Sequence, residues 1–482
     1  MSRPTPSPAA GAVLTPELCV VGAGAAGLTA AAGAAAFGAS VVLVERGAMG
    51  GDCLNYGCVP SKALLAAAAA AQGARDGGRF GVTAGEPAVD FAAVRAHVRR
   101  AIEAIEPADS QARFEGLGVT VIRAQARFVS ADALVAGGTT IRARRFVLAT
   151  GSRPRIPDLP GLDAVPYLTN ETVFDLPDLP RHLVILGGGP VGAELAQAFR
   201  RLGSAVTLIA RNRCLPREDA DLAAIVRAAL VREGIVLREG ADAARVEPMP
   251  GGAVRLRLVD GSAIEGTHLL LAAGREVRAG DLGLEVAGIA HGADGIRVDA
   301  ALRTANRRVY AVGDAAAGMP RFTHAAGHMG GLVLRPILFR LPARMRPGAI
   351  PRAIYTDPPL GQVGLTEAEA RARGLEHRVI AVPFAESDRA WTQARTDGLA
   401  KFVVGRRGRL LGVGITGLHA DEATGLFALA LSRRMGLRDL SGFVAPYPTI
   451  AEIGRRAASA YFRPYAARRL VRATVSFLRR FG

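Results

Sequence analysis

Cys53 and Cys58 stand five positions apart in the stretch Gly50-Gly51-Asp52-Cys53-Leu54-Asn55-Tyr56-Gly57-Cys58-Val59-Pro60-Ser61-Lys62. Two thiols at that spacing can close a small ring and reopen it once per turnover, which is two-electron redox chemistry rather than structural stapling. The gap is not the two-residue gap of thioredoxin-like or zinc-ribbon motifs, and no second cysteine pair completes a metal site. With Cys19 and Cys214 the chain has only four cysteines in 482 residues, which fits a reducing, cytoplasmic setting where a cysteine pair is catalytic or redox-sensing. The apolar run Ala63 to Ala71 reads as a helix beginning near Cys58 to Lys62. A helix N-terminus stabilises a nearby thiolate, so this placement favours low thiol pKa values.

A redox pair needs an electron source, and the segments around it supply two nucleotide signatures. Leu18-Cys19-Val20-Val21 reads as a buried strand running into Gly22-Ala23-Gly24-Ala25-Ala26-Gly27 and an alanine-rich helix; a second strand, Ser40 to Val44, ends on Glu45. In such a βαβ unit Gly22 allows the tight turn, Gly24 lets the backbone approach a pyrophosphate, and Gly27 lets helix pack on strand. Glu45 sits where a carboxylate can accept both ribose hydroxyls. The second signature opens with His182 to Leu186 and continues as Gly187-Gly188-Gly189-Pro190-Val191-Gly192. Its next strand, Ala205 to Ile209, ends at Ala210-Arg211 with no carboxylate; Arg211 and Arg217 instead offer charge to a 2′-phosphate, favouring NADPH over NADH.

The length suits about three domains of roughly 100–200 residues. A formal net charge of +17 comes almost wholly from arginine, since lysine occurs only at Lys62 and Lys401. Without aromatic interleaving or a recognised module, that charge does not point to nucleic acid. Leu18 to Val44 is uncharged and long enough to span a bilayer, but its glycine fingerprint reads as a nucleotide fold instead. Residues 1–16, with four prolines and no charged start before an apolar core, read as a disordered lead-in rather than a secretory signal. Helical patterning covers about Arg75 to Glu115, and short strands cover Val119 to Arg145 around a Gly137-Gly138 turn.

The redox stretch resembles that of the class I pyridine nucleotide-disulfide oxidoreductases: lipoamide dehydrogenase, glutathione reductase, mercuric reductase and their relatives. The crossover Ala149-Thr150-Gly151, the segment ending Gly274-Arg275, the stretch Val309 to Gly313-Asp314 and the opening Tyr355-Thr356-Asp357-Pro358-Pro359 match the same family in order. The resemblance implies an α/β fold with two Rossmann-like dinucleotide-binding domains, for FAD and NADPH, plus a C-terminal α+β dimerisation domain. On that pattern residues 17–153 and 285–347 bind FAD, 154–284 bind NAD(P), 348–461 form the interface domain of a homodimer, and 462–482 are an added tail. It also implies that Cys53 faces the substrate, that Cys58 lies against the flavin, and that Lys62 sits by the flavin ring paired with Glu194. Gly51 and Asp52 belong to the flavin-binding segment, although Asp52 replaces the family's usual threonine. Pro190 replaces a tyrosine that covers the nicotinamide pocket in glutathione reductases. His324 and His328 are spaced like helical metal ligands, but with no further ligand nearby no metal site is expected. His324 matches a histidine that several members carry beneath the flavin.

The implied cycle takes hydride from NADPH to FAD, two electrons to the Cys53-Cys58 disulfide, and delivery from Cys53 to a small acceptor at the dimer interface. In disulfide-reducing relatives a histidine, held by an acid at the position of Glu452, protonates the leaving thiolate from across the dimer. Here Tyr447 stands in its place, and all eight histidines lie elsewhere. A phenol with pKa near 10 is a poor proton shuttle beside an imidazole near 6.5. Mercuric reductases resemble this chain at that point, which favours a soft metal ion or other electrophile as acceptor, although their terminal cysteine pair has no counterpart after Cys214. A lipoamide dehydrogenase-like disulfide is the second reading, and a membrane-associated quinone or protein acceptor the third.

The tail sets Arg468, Arg469, Arg472, Arg479 and Arg480 on one arc of a helical wheel. Leu470, Val471, Thr474, Val475, Phe477, Leu478 and Phe481 fall on the other. Such a helix can lie on an anionic membrane surface or pack onto the protein's own body.

Overall fold

The computed structural model describes residues 11–277 and 279–481. The fully apolar runs Leu18–Val21 and Val41–Val44 are buried along their length, as strands covered on both faces must be. Leu18–Val21 lies at the centre of a five-stranded parallel sheet. Its neighbours on one side are Arg145–Leu148 then Val309–Ala311, and on the other Val41–Val44 then Thr120–Ile122. A second parallel set places His182–Leu186 between Ala205–Ala210 and His268–Leu271. Both sets belong to one compact unit, made of the described residues up to Asp76 with Ala84–Arg211 and Ala241–Pro347.

The second compact unit comprises Gly77–Thr83, Asn212–Gly240 and the residues from Gly348 onward. Its core is an antiparallel sheet ordered Arg352–Ile354, Leu360–Gly364, Leu410–Thr416, Leu399–Val404 and Arg378–Pro383. Phe384, Phe402, Phe427, Ile453 and Ala457 are buried in one cluster there. Lys401 is buried among Asp219, Asp221 and Glu367, 3.0, 2.7 and 3.1 Å away. Burial works against its ammonium, but the hydrogen bonds to Asp221, Asp219 and Glu367 outweigh it and hold the pKa above the ordinary lysine value.

Two expectations from the sequence change. The helical pattern from Arg75 to Glu115 is broken: one helix, Cys58–Asp76, ends at the Gly77-Gly78 pair, and the next, Phe91–Asp109, starts only where Asp90 accepts from the Ala93 N–H at 3.1 Å. Gly81, with φ +77°, and the glycines and proline near it interrupt the ladder between them. Of the lead-in, residues 1–10 lie outside the described residues, but Val13–Leu14 is a strand paired parallel with Thr140–Ile141. Two apolar residues at the edge of a small sheet suffice to order that end.

No helix among the described residues is long and apolar enough to cross a membrane.

Candidate active site

The first glycine signature is built by contact, not composition. Gly22 follows the central strand with φ +104°, and a Cβ there would lie 2.4 Å from the Ala149 carbonyl oxygen of the neighbouring crossover. At Gly27 a Cβ would lie 1.8 Å from the Gly22 oxygen, so only glycine lets the helix Ala25–Ala36 sit this close to its strand. No side chain caps that helix, whose N-cap is Gly24, so side chains of the cap leave its first N–H groups to an anionic ligand. Glu45 reaches back from the next strand to accept from the Ala23 N–H at 2.6 Å, which fixes its carboxylate beside the turn. The second signature repeats this construction: Gly192 would meet the Gly187 oxygen at 2.0 Å, while Gly189 is open and begins an uncapped helix, Pro190–Leu202. Two glycine-lined helix N-termini of this kind fit two pyrophosphates.

The redox segment is held against the first of these turns. Gly50 and Gly51 both have positive φ, and a Cβ on Gly51 would come within 2.8 Å of the Gly24 Cα. Cys53 lies in a short helix, Gly51–Asn55, and Cys58 is the first residue of the long one, Cys58–Asp76. Gly57 permits the turn between them, since a Cβ there would meet the Asp52 oxygen at 2.9 Å. Both thiols are free and hydrogen-bonded to each other.

The pair is electrostatically divided. Cys58 is pulled down to about 6, first by the hydrogen bond from Cys53, with the Thr323 hydroxyl and the Lys62 charge acting the same way against enclosure and the Asp52 charge. Cys53 is pushed up by that same hydrogen bond and by burial. The Thr323 hydroxyl lies 3.1 Å from the Cys58 sulfur, at the start of the helix Thr323–Leu332. That helix packs against Ala25–Ala36 at close range, since a Cβ on Gly330 would fall 2.3 Å from the Ala26 oxygen. A hydrogen bond to a charged group contributes about 1.5–3 kcal/mol, and one pKa unit is about 1.4 kcal/mol. Thr323→Val should therefore raise the Cys58 pKa by roughly one unit or more. Ultraviolet thiolate absorbance of the reduced protein against pH measures this, and an unmoved titration refutes the role.

Lys62 Nζ donates to Glu194 Oε2 at 2.7 Å, joining the redox helix to the second nucleotide helix, with Glu194 buried. Asp52 accepts from Asn170 at 3.1 Å and pairs with Arg275, also at 3.1 Å. The same guanidinium donates to the Ser152 hydroxyl at 2.7 Å, and that hydroxyl donates to Asp314 at 2.5 Å. Ser152, next to the crossover Ala149-Thr150-Gly151, Arg275 and Asp314 are thus joined in one chain of contacts to Asp52, which serves here as an ion-pair partner of Arg275.

Cys19 and Cys214 take no part. Both are fully buried; burial pushes the Cys19 thiol up and, with Glu239 adding to it, the Cys214 thiol up to about 12. His324 stacks on Phe322 with ring centroids 5.5 Å apart. Among the described residues no group of three or more His, Cys, Asp or Glu side chains could hold a metal ion.

Arg211 is already engaged: its guanidinium contacts both oxygens of Asp242, at 2.9 and 3.2 Å. The Arg217 carbonyl accepts from Arg352 at 3.4 Å. In the second unit Tyr447 is exposed, and its hydroxyl donates to Asp388 at 3.1 Å rather than to Glu452. Glu452 is instead buried and accepts from Arg455 at 3.1 Å. The Asp388 hydrogen bond, followed by its charge, raises the Tyr447 pKa above the usual phenol value. Thr323, Asn170 and Asp388 carry no local sequence signal for these roles, because their partners come from distant segments.

Residues 16–330 match the family profile described as pyridine nucleotide-disulphide oxidoreductase, and residues 350–458 match that family's dimerisation domain. A mercuric reductase of Streptomyces lividans is 37% identical over 458 residues, covering 92% of this chain and 96% of that protein. A dihydrolipoyl dehydrogenase of Halobacterium salinarum is 34% identical over 457 residues, covering 92% and 95%. Among solved structures, the Cu(II) complex of the HOCl-induced flavoprotein disulfide reductase RclA from Escherichia coli superposes with a TM-score of 0.82. It is 26% identical, covering 92% of this chain and 99% of that one.

Proposed function

From a chain that belongs to the pyridine nucleotide-disulphide oxidoreductases, we propose an NADPH-driven reductase whose Cys53-Cys58 pair delivers electrons to a soft metal ion or similar electrophile. As a family member the protein is a homodimeric, FAD- and NAD(P)H-dependent oxidoreductase. When bound, NAD(P)H supplies a hydride and FAD relays its two electrons to the cysteine pair. Gly22, Gly24, Gly27, Glu45 and Asp314 would hold the flavin nucleotide, and Gly187, Gly189 and Gly192 the pyridine nucleotide. Lys62, fixed by Glu194, supports negative charge beside Cys58.

The observation that carries the acceptor class is the Tyr447 hydroxyl committed to Asp388. Reducing a disulfide with NADPH consumes one proton, which a positioned acid must deliver to the leaving thiolate. Reducing a thiolate-bound divalent metal ion to the metal takes the same two electrons but breaks only metal–sulfur bonds, and the released thiolates take their protons from solvent rather than from a positioned acid. A phenol whose pKa is raised by a carboxylate suits the second reaction and not the first. Two sulfurs side by side also match the soft-ligand preference of such ions. The setting is the cytoplasm, where the pair can cycle between thiol and disulfide.

NADPH oxidation by the purified protein on adding Hg(II) in excess small thiol tests this directly. Steady turnover is expected, with lipoamide reduced about a hundredfold more slowly, the usual contribution of the missing acid-base group. Lipoamide turnover at an equal or greater rate would overturn the reading in favour of a disulfide reductase, which the similarity to dihydrolipoyl dehydrogenase makes the second candidate.

The preference for NADPH rests on Arg211 at the end of its strand. A 2′-phosphate would take over the guanidinium from Asp242, and charge-assisted hydrogen bonds contribute about 1.5–3 kcal/mol. Arg211→Met should lower kcat/KM for NADPH roughly tenfold or more while leaving NADH within about twofold. An equal loss with both nucleotides would remove the assignment.

A further inference from the structure

We propose that the tail helix Arg469–Leu478 seats this protein on an anionic lipid surface, lying in the membrane plane. The second unit buries the preceding helix, Ile453–Ala466, through Ile453, Gly454, Ala457, Ala458 and Tyr461, and there burial stops. Every residue from Phe462 to Phe481 is exposed. The tail therefore does not pack on the body of its own chain. It also lies beyond residue 458, where the match to the family's dimerisation domain ends.

What the exposed helix offers is specific in chemistry. Leu470 is 80%, Phe477 55%, Leu478 58% and Phe481 74% exposed, and all lie on one arc. Arg468, Arg469, Arg472, Arg479 and Arg480 occupy the opposite arc, and no acidic residue follows Glu452. Guanidinium groups bind phosphate through paired hydrogen bonds, and large apolar side chains between such groups enter the acyl boundary. The rings of Phe462 and Tyr465, 6.2 Å apart, with Arg468 stacked 4.3 Å over Tyr465, precede the helix as the amphipathic collar favoured at such interfaces. At ten residues the helix is about 15 Å long, half a hydrocarbon core, so it can lie along a membrane but not cross it. A second copy of the tail is the weaker occupant, because pairing the apolar arcs would draw two sets of arginines together without an acid to answer them.

The test is sedimentation of the flavin-loaded full chain with phosphatidylglycerol-containing vesicles, against phosphatidylcholine vesicles and no vesicles. Two double variants, Leu470→Asp with Phe477→Asp and Arg472→Glu with Arg479→Glu, alter only exposed side chains, and an unchanged flavin spectrum verifies their fold. The native chain should pellet with the anionic vesicles alone, and less as salt rises. The arginine variant should weaken about fivefold or more per residue, and the apolar variant should stay in solution despite keeping its arginines. A native chain that stays in solution would overturn the proposal. So would variants that pellet equally, which would assign the binding to another basic patch. A native assembly larger than a dimer, absent in the variants and indifferent to lipid, would assign the face to a second copy.

Discussion

Cys53→Ser should abolish reduction of the acceptor while leaving anaerobic bleaching of the flavin by NADPH intact. Cys53 is pushed up by its hydrogen bond to Cys58, and Cys58, beside Lys62, is pulled down to about 6. A serine at position 53 cannot form the sulfur-sulfur bond or pass electrons outward, and Cys19 and Cys214 are too deeply buried to replace it. Losing a group of this kind costs at least about a thousandfold in turnover, because the steps it performs have no second route. The native rate should also fall as pH drops through about 6, where Cys58 takes up a proton, and level off above it. Acceptor-dependent NADPH oxidation against pH measures both effects, and a Cys53→Ser rate equal to the native one would refute the thiol route.

The parts of this site that were legible in the sequence are those fixed by neighbours a few residues apart. Gly22 and Gly27 announce a helix pressed on its own strand because the clash they avoid lies within one βαβ unit. The Lys62–Glu194 pair is long-range, yet the resemblance supplied it, and the structure forms it at 2.7 Å. Thr323 was not legible: it is 265 residues from Cys58, and a threonine beginning a helix is ordinarily just that. Likewise Asp388 meets Tyr447 from 59 residues away, and the acid nearer in sequence, Glu452, is taken by Arg455. The short segment between Tyr447 and Glu452 turns the phenol outward while burying Glu452. The ordering of Val13–Leu14 was missed for a related reason, since a two-residue strand has no periodicity to read and exists only through its pairing with Thr140–Ile141.

The twin glycine turns permit a second large effect, and it separates the two nucleotides. An alanine at Gly27 would place its Cβ 1.8 Å from the Gly22 carbonyl oxygen; at Gly192 it would lie 2.0 Å from that of Gly187. Backbone atoms cannot yield to such contacts as a flexible side chain can, so the helix must lift from its strand, carrying its N-terminal N–H groups away from the pyrophosphate. Gly27→Ala should give a colourless protein that is also less stable, by about 1–3 kcal/mol as overpacked cores usually are. Gly192→Ala should remain yellow but bind NADPH roughly a hundredfold or more weakly, an estimate that assumes loss of two charge-assisted hydrogen bonds. Gly189→Ala completes the set: nothing lies within 4 Å of its Cβ and its φ of -81° suits alanine, so packing is untouched and only the approach of the pyrophosphate is blocked. Flavin content, thermal unfolding and NADPH affinity of the three proteins together decide the assignment. Loss of flavin from Gly192→Ala, with Gly27→Ala still yellow, would exchange the two nucleotide sites.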